Sequence, residues 1–205
     1  MFRLIAALLL ATPVLAVPAA LVTDPPMNTA YPADLMPLLI ASHGANMNGR
    51  IYLAEGKGPH PTMLLLHGFP GNEQNGDVAQ AARRAGWNVI LFHYRGAWGS
   101  QGAFSIHNAI DDTQVVFDWA RDPANAAKYR IDPKRIVIAG HSMGGFMTVQ
   151  TAAHNPGLAG VILIDAWNPA ASAAGLSNPQ AQAAIVAGLA ESMPPISGII
   201  AQGLL

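Results

Sequence analysis

The chain contains no cysteine among its 205 residues. Disulfide bonds, thiolate metal sites and a cysteine nucleophile are therefore all excluded. Charge is also sparse, because only 11% of the residues are charged and the formal net charge is -1 at pH 7. No basic stripe interleaved with aromatic side chains provides the positive field that attracts nucleic acid. We therefore expect no nucleic acid as a partner.

Apolar residues, by contrast, are abundant. They make up 51% of the chain, which is enough for a sizeable core in one domain. Residues 1–19 resemble a secretory signal: Arg3 is the only early charge, an apolar run follows, and small residues that suit signal peptidase come after it. We therefore expect a secreted or periplasmic protein. The alternative is an uncleaved anchor, since Leu4–Val22 is just long enough to span a bilayer, and only then is a membrane expected as a partner.

Three further segments follow the signal. Residues 20–36 are rich in proline and polar residues, which predicts an extended arm. Residues 37–169 have the apolar patterns of a folded core, which opens with an antiparallel hairpin. We place the turn of this hairpin at Asn48-Gly49, a dipeptide that tolerates positive φ. Residues 170–205 contain alanine-rich helical stretches and no strand of the earlier type, so they resemble the start of a lid.

From Thr62 onward, short apolar runs alternate with segments of helical periodicity. The runs predict strands buried on both faces, and they read TMLLLHG, NVILFHY, RIVIAG and GVILID. The segments between them predict helices, and they read DVAQAARRAGW, NAIDDTQVVFDWARD and SMGGFMTVQTAAHN. This order predicts an α/β fold with a mostly parallel sheet covered on both faces.

The stretch Gly140-His141-Ser142-Met143-Gly144 fits the pattern G-x-S-x-G and lies between a predicted strand and a predicted helix. A chain that turns sharply at this point exposes the serine hydroxyl above the sheet, and the flanking glycines remove Cβ atoms that would clash. The pattern predicts that Ser142 is a nucleophile. The alternative is a small residue that caps the helix.

A second glycine-rich turn, His67-Gly68-Phe69-Pro70-Gly71, follows the strand TMLLL. Such a turn can direct a backbone N–H at the oxyanion that forms when a serine attacks a carbonyl group. We predict the amides of Phe69 and Met143 as the two donors. The alternative is an ordinary strand-to-helix turn.

With these motifs the chain resembles the α/β-hydrolase superfamily, in its serine esterase and peptidase branch, which includes prolyl oligopeptidase-like and serine aminopeptidase-like hydrolases. The motifs HGFPG, FHYRGAWGS and GHSMGG stand in the order of that family. The resemblance implies a sheet of eight strands. It also implies a serine hydrolase that cleaves an ester, thioester or amide bond through an acyl-enzyme on Ser142. The expected substrate is a small-molecule or peptide acyl compound, and neither a cofactor nor a metal is expected.

The family places its acid and its histidine base downstream of the serine. His154 is the only histidine there, and it lies about 18 Å along the predicted helix from Ser142. His67 and His93, at predicted strand ends, are the candidates among the earlier histidines, but either would be a base only in an arrangement foreign to the family. We read each as a local hydrogen-bonding residue, and the base is not assigned. Asp165, after the strand GVILID, is a candidate acid, with a helix cap or turn residue as the alternative.

We therefore expect strands seven and eight to be absent and the sequence to be C-terminally truncated. On the outer side of the last predicted strand, residues 161–164 would then form an unpaired apolar edge. The alternative is a non-catalytic binding or scaffold protein on an α/β-hydrolase fold.

Overall fold

The computed structural model describes residues 17–170, 178–181 and 183. Most of the predicted signal and most of the predicted lid lie outside the described residues. Within them the chain forms six strands, β1 to β6, and five helices, α1 to α5. In chain order these are α1 (Ala19–Val22), β1 (Asp34–Ser42), β2 (Ala45–Leu53), β3 (His60–Leu66), α2 (Gly76–Arg84), β4 (Asn88–Phe92), α3 (Ile106–Arg121), α4 (Pro123–Tyr129), β5 (Ile131–His141), α5 (Met143–His154) and β6 (Gly160–Ile164).

The strands form one sheet in the order β1-β2-β4-β3-β5-β6. The pairs β3 with β4, β3 with β5, and β5 with β6 are parallel, whereas β2 is antiparallel to both β1 and β4. The predicted α/β fold, with a mostly parallel sheet and an N-terminal antiparallel hairpin, is therefore confirmed. β1 begins at Asp34, so the last three residues of the predicted arm belong to the sheet.

The predicted position of the hairpin turn is wrong. His43 and Gly44 form the turn, with φ values of 45° and 80° that match the primed turns favoured between antiparallel strands. Gly49 lies inside β2, where it pairs with Leu38 on one side and with Phe92 on the other. A Cβ atom at Gly49 would lie 2.9 Å from a backbone oxygen of β4, so close packing between strands requires glycine there.

The residues that form these elements follow ordinary propensities. Strands β3 and β4 are almost wholly buried, which explains their continuous apolar runs. Helix α3 begins after Ser105, whose side chain accepts a hydrogen bond from the Asn108 amide at 3.0 Å. Helix α4 was not predicted from the sequence, although Asp122 caps it and Pro123 occupies its first turn.

Helices cover both faces of the sheet. One face packs against α3, α4 and α5 around a large apolar cluster that includes Ile90, Phe92 and Phe117. The other face packs against α2 around a smaller cluster that includes Leu65 and Leu91. Because β3 is parallel to both β4 and β5, the carboxyl ends of the three strands meet at one edge of the sheet, and the loops that follow them project from that edge.

Strand β6 lies at the end of the sheet and, within the described residues, pairs only with β5. Val161, Ile162 and Leu163 are each between 45% and 48% exposed. The described helices include none with the length and apolar character needed to cross a bilayer.

Candidate active site

The turn between β5 and α5 presents Ser142. Its φ of 53° and ψ of -119° are unfavourable for a residue with a side chain, and such a conformation costs about 1–3 kcal/mol. A Cβ atom at Gly140 would overlap the carbonyl oxygen of Gly144. A Cβ atom at Gly144 would lie 2.5 Å from the carbonyl oxygen of Leu66 at the end of β3. The glycines thus allow β5, α5 and β3 to approach closely enough to support the turn.

Backbone hydrogen bonds hold the serine in this conformation. The Ser142 amide donates to the carbonyl oxygen of Ile164 at 3.0 Å, and the Ser142 carbonyl accepts from the amides of Gly145 and Trp167 at 2.9 and 2.8 Å. The Ser142 side chain is half-buried, and its Oγ makes no hydrogen bond to a described residue. The hydroxyl therefore does not cap α5, which argues against the alternative role considered for Ser142.

A loop after β3, residues 68–71, lies directly against this serine. It lines a cavity of about 210 Å³ together with Asn72, Glu73, His141 and Ser142. A Cβ atom at Gly68 would lie 2.9 Å from the Ser142 Cβ and 3.4 Å from its Oγ, so only glycine leaves the serine accessible. Neither the Phe69 amide nor the Met143 amide donates a hydrogen bond within the described residues. Both predicted oxyanion donors thus lie next to Ser142 with their N–H groups unpaired.

Side chains from the connection after β4 contact this loop and the histidine that precedes it. The Trp98 Nε1 donates to the Pro70 carbonyl oxygen at 2.6 Å, and Phe69 packs against Phe104 with ring centroids 5.1 Å apart. The His67 Nδ1 lies 2.7 Å from the Gly68 carbonyl oxygen, and the His67 Nε2 lies 3.2 Å from the His93 Nδ1. Both histidines therefore form hydrogen bonds within the fold, His67 with the adjacent residue Gly68 and with His93, which is 26 positions away in the chain.

Burial controls the charge of the two histidines. It lowers the pKa of His67 to about 4, and the nearby positive charge of Arg50 acts in the same direction. Burial also lowers the pKa of His93 to about 3, with further contributions from His67 and Arg50. Both imidazoles are neutral at pH 7.

A buried ion pair anchors the loop that carries Trp98. The Arg95 Nε donates to the Asp112 Oδ1 at 2.5 Å, and the Arg95 amide donates to the Asp112 Oδ2 at 2.8 Å. The Ser42 hydroxyl donates to the same carboxylate at 2.7 Å, and Asp112 is fully buried. The network joins the loop after β4 to α3 and the hairpin. Arg95 belongs to the motif FHYRGAWGS, but no sequence pattern indicates Asp112 as its partner.

No histidine among residues 17–170, 178–181 and 183 forms a hydrogen bond with the Ser142 Oγ. His154 lies at the exposed C-terminal end of α5, where its Nδ1 contacts the Gln150 carbonyl oxygen at 2.9 Å. Asp165 follows β6 with a φ of 45°, and its exposed carboxylate makes no hydrogen bond to a described residue. Its assignment as the acid therefore remains a prediction. The same part of the chain contains no group of three histidine or carboxylate side chains placed to hold a metal ion.

Comparison with known proteins gives uncharacterised relatives as well as relatives that are named as hydrolases. An uncharacterised protein of Mycobacterium tuberculosis is 26% identical over 133 residues, which cover 64% of this chain and 46% of that protein. The lysophosphatidylserine lipase ABHD12 of Danio rerio is 34% identical over 89 residues, which cover 42% of this chain and 21% of the lipase. The matches thus span less than half the length of both relatives.

Solved structures show the same fold. The carboxylesterase EstE1, cloned from a metagenomic library, matches with a TM-score of 0.57 and 22% sequence identity, over 72% of this chain and 50% of the esterase. The sequence profile described as "alpha/beta hydrolase fold" matches residues 61–193, from the start of β3 to beyond β6. This range is more than half of the chain and contains both the turn at Ser142 and the loop that faces it. The protein therefore belongs to the α/β-hydrolase fold family.

Proposed function

We propose that the protein is a serine hydrolase that cleaves carboxylic esters through an acyl-enzyme on Ser142. The observation that carries this proposal is an accessible Ser142 beside two amides, those of Phe69 and Met143, that donate no hydrogen bond within the described residues. Binding alone does not require a strained serine next to two amides that have no partner in the part of the chain that the structure describes. Ester chemistry is favoured over amide chemistry by the names of relatives such as the lipase and the carboxylesterase.

In the proposed reaction the Ser142 Oγ attacks the carbonyl carbon of the ester. The carbonyl oxygen takes up the negative charge and accepts hydrogen bonds from the Phe69 and Met143 amides. A base removes the proton from the Ser142 Oγ and passes it to the leaving alcohol oxygen as the carbon–oxygen bond breaks. Water then attacks the acyl-enzyme, which restores Ser142 and releases the carboxylic acid.

A fluorophosphonate probe and a nitrophenyl ester test the proposal. The protein should be labelled at Ser142 and should release nitrophenol, and Ser142→Ala should abolish both reactions. Ser105→Ala is the matched control, because it removes a hydroxyl that caps α3 and takes no part in the reaction. Labelling that survives Ser142→Ala would refute the assignment of the nucleophile.

The same assays separate the alternatives for the reaction class. A nitroanilide cleaved in preference to the nitrophenyl ester would indicate a peptidase or amidase. A folded protein that binds an acyl compound but neither hydrolyses it nor reacts with the probe would indicate the non-catalytic function.

A further inference from the structure

The His67–His93 pair connects a buried part of the fold to the loop that faces Ser142. Strands β3 and β4 are parallel and adjacent, and Leu65 pairs with Leu91, so the same register places His67 beside His93. His67 is only 1% exposed. Its two ring nitrogens both have partners, the Gly68 carbonyl oxygen at 2.7 Å and the His93 Nδ1 at 3.2 Å.

These partners determine where the protons are. A carbonyl oxygen only accepts, so the His67 Nδ1 has to carry the proton that bonds to Gly68. A neutral imidazole has one N–H, so the His67 Nε2 is an acceptor and the His93 Nδ1 has to donate to it. Both rings are neutral at pH 7, because burial lowers the pKa of each. The two histidines therefore form a chain of hydrogen bonds in which His93 donates to His67 and His67 donates to the Gly68 carbonyl oxygen.

That carbonyl oxygen belongs to the same peptide group as the Phe69 N–H. The Gly68–Phe69 peptide is not among the cis bonds of the chain, so its C=O and N–H point in opposite directions. A hydrogen bond that holds the Gly68 oxygen toward His67 consequently turns the Phe69 N–H away from His67. Phe69 lines the cavity at Ser142, and Gly68 contacts the serine directly.

We propose that His67 and His93 are positioning residues, and that their chain of hydrogen bonds fixes the Gly68–Phe69 peptide so that the Phe69 N–H faces the oxyanion formed at Ser142. The proposal rests on the proposed function for its effect on rate. The hydrogen-bond chain itself can be measured without any reaction.

The first test is ¹⁵N NMR of the whole chain labelled at histidine, because the ring shifts distinguish the two neutral tautomers. At pH 7, both His67 and His93 should carry their proton on Nδ1. In His93→Leu, the His67 proton should stay on Nδ1, which still donates to Gly68, but the His67 Nε2 resonance should shift because it loses its hydrogen-bond donor. A wild-type His67 with its proton on Nε2 would overturn the proposal, and so would a His67 Nε2 resonance that does not change when His93 is replaced.

The second test compares the rate at which the fluorophosphonate reacts with Ser142 in four proteins. His67→Leu removes the donor to Gly68, so the rate should fall toward the roughly 100-fold loss seen when an oxyanion donor is removed. His67→Asn should stay within about 10-fold of the wild type, because the Asn Nδ2 can take the place of the imidazole Nδ1 and donate to the same oxygen. This rescue would not occur if His67 only filled space.

His60→Leu is the matched control. His60 is also buried, begins the same strand and contacts two backbone carbonyl oxygens at 3.1 Å, those of Gly86 and Gly56. Its loss should lower stability but leave the labelling rate and the Phe69 amide resonance unchanged. His67→Leu should shift that resonance. An equal loss of rate in the His60 and His67 variants, measured on proteins shown to be folded by circular dichroism, would refute the positioning role.

The two proposals can fail separately. If the wild-type protein does not react with the probe at Ser142, the proposed function fails, while the histidine tautomers and the Phe69 resonance still decide whether the hydrogen-bond chain exists. If Ser142 reacts but His67→Leu reacts at the wild-type rate, the positioning role fails and the proposed function stands.

Discussion

Acid should destabilise this protein at a pH well above the range where carboxylates titrate, because two buried histidines are neutral in the fold. In the unfolded chain each has the ordinary histidine pKa of 6.5, whereas in the fold the pKa is about 4 for His67 and about 3 for His93. Below the unfolded value the unfolded chain binds protons that the folded chain does not. The free energy of unfolding therefore falls as the pH falls from about 6.5 toward 4.

The size of the effect follows from these values. At about pH 5 each histidine is about 1.5 pH units below its unfolded pKa and still neutral in the fold, which corresponds to about 2 kcal/mol for each residue. The pair should cost roughly 3–4 kcal/mol, a large share of the total stability of about 5–15 kcal/mol typical of a domain.

Urea unfolding followed by circular dichroism, between pH 7 and about pH 5, measures this loss. In His93→Leu the loss should shrink to about half, and in the double variant with His67→Asn it should nearly disappear. A wild-type stability that stays constant over this range would refute the reasoning. So would a loss of the same size in the double variant, since other groups would then be responsible.

Three further predictions concern other parts of the chain. Gly140→Ala should destabilise the fold by about 3 kcal/mol or more, because the new Cβ atom overlaps a backbone oxygen that cannot move away. Gly157→Ala is the control: its Cβ atom would meet nothing within 4 Å, so the midpoint of urea unfolding should change little. Asp112→Ala should cost about 3–5 kcal/mol, because the buried Arg95 guanidinium loses its closest carboxylate and keeps only Asp111 at 3.8 Å as an acidic partner. Asp132→Ala, which removes a more exposed Arg–Asp pair, should cost far less in the same assay, and similar losses would contradict the role given to burial. Export should remove the first 16 to 19 residues, and N-terminal sequencing of the mature protein measures this. A mature chain that still begins at Met1 and partitions with membranes would instead indicate an uncleaved membrane anchor.

The sequence alone predicted the sheet, because continuous apolar runs such as the one in β4 occur where both faces of a strand are buried. It also predicted the sharp turn at Ser142, since the glycines at 140 and 144 stand next to the serine in the chain and their effect is local. The predicted position of the hairpin turn is wrong because a local pattern was the only guide to it. Both His43-Gly44 and Asn48-Gly49 suit a turn locally, and only the pairing of Gly49 with β4 decides between them.

Contacts between residues far apart in the chain were decided by the tertiary structure. The hydrogen bond between His67 and His93 exists because β3 and β4 are adjacent and in a register that brings these two residues side by side. Asp112 becomes the partner of Arg95 only when α3 packs against the loop after β4. The local sequence determines the propensity for helix, strand or turn and the steric freedom of the backbone. Strand order, register and helix packing determine which polar groups are buried away from water and therefore have to pair with one another. The sequence therefore determined the turn at Ser142, and the fold determined which histidines contact each other beside the loop next to it.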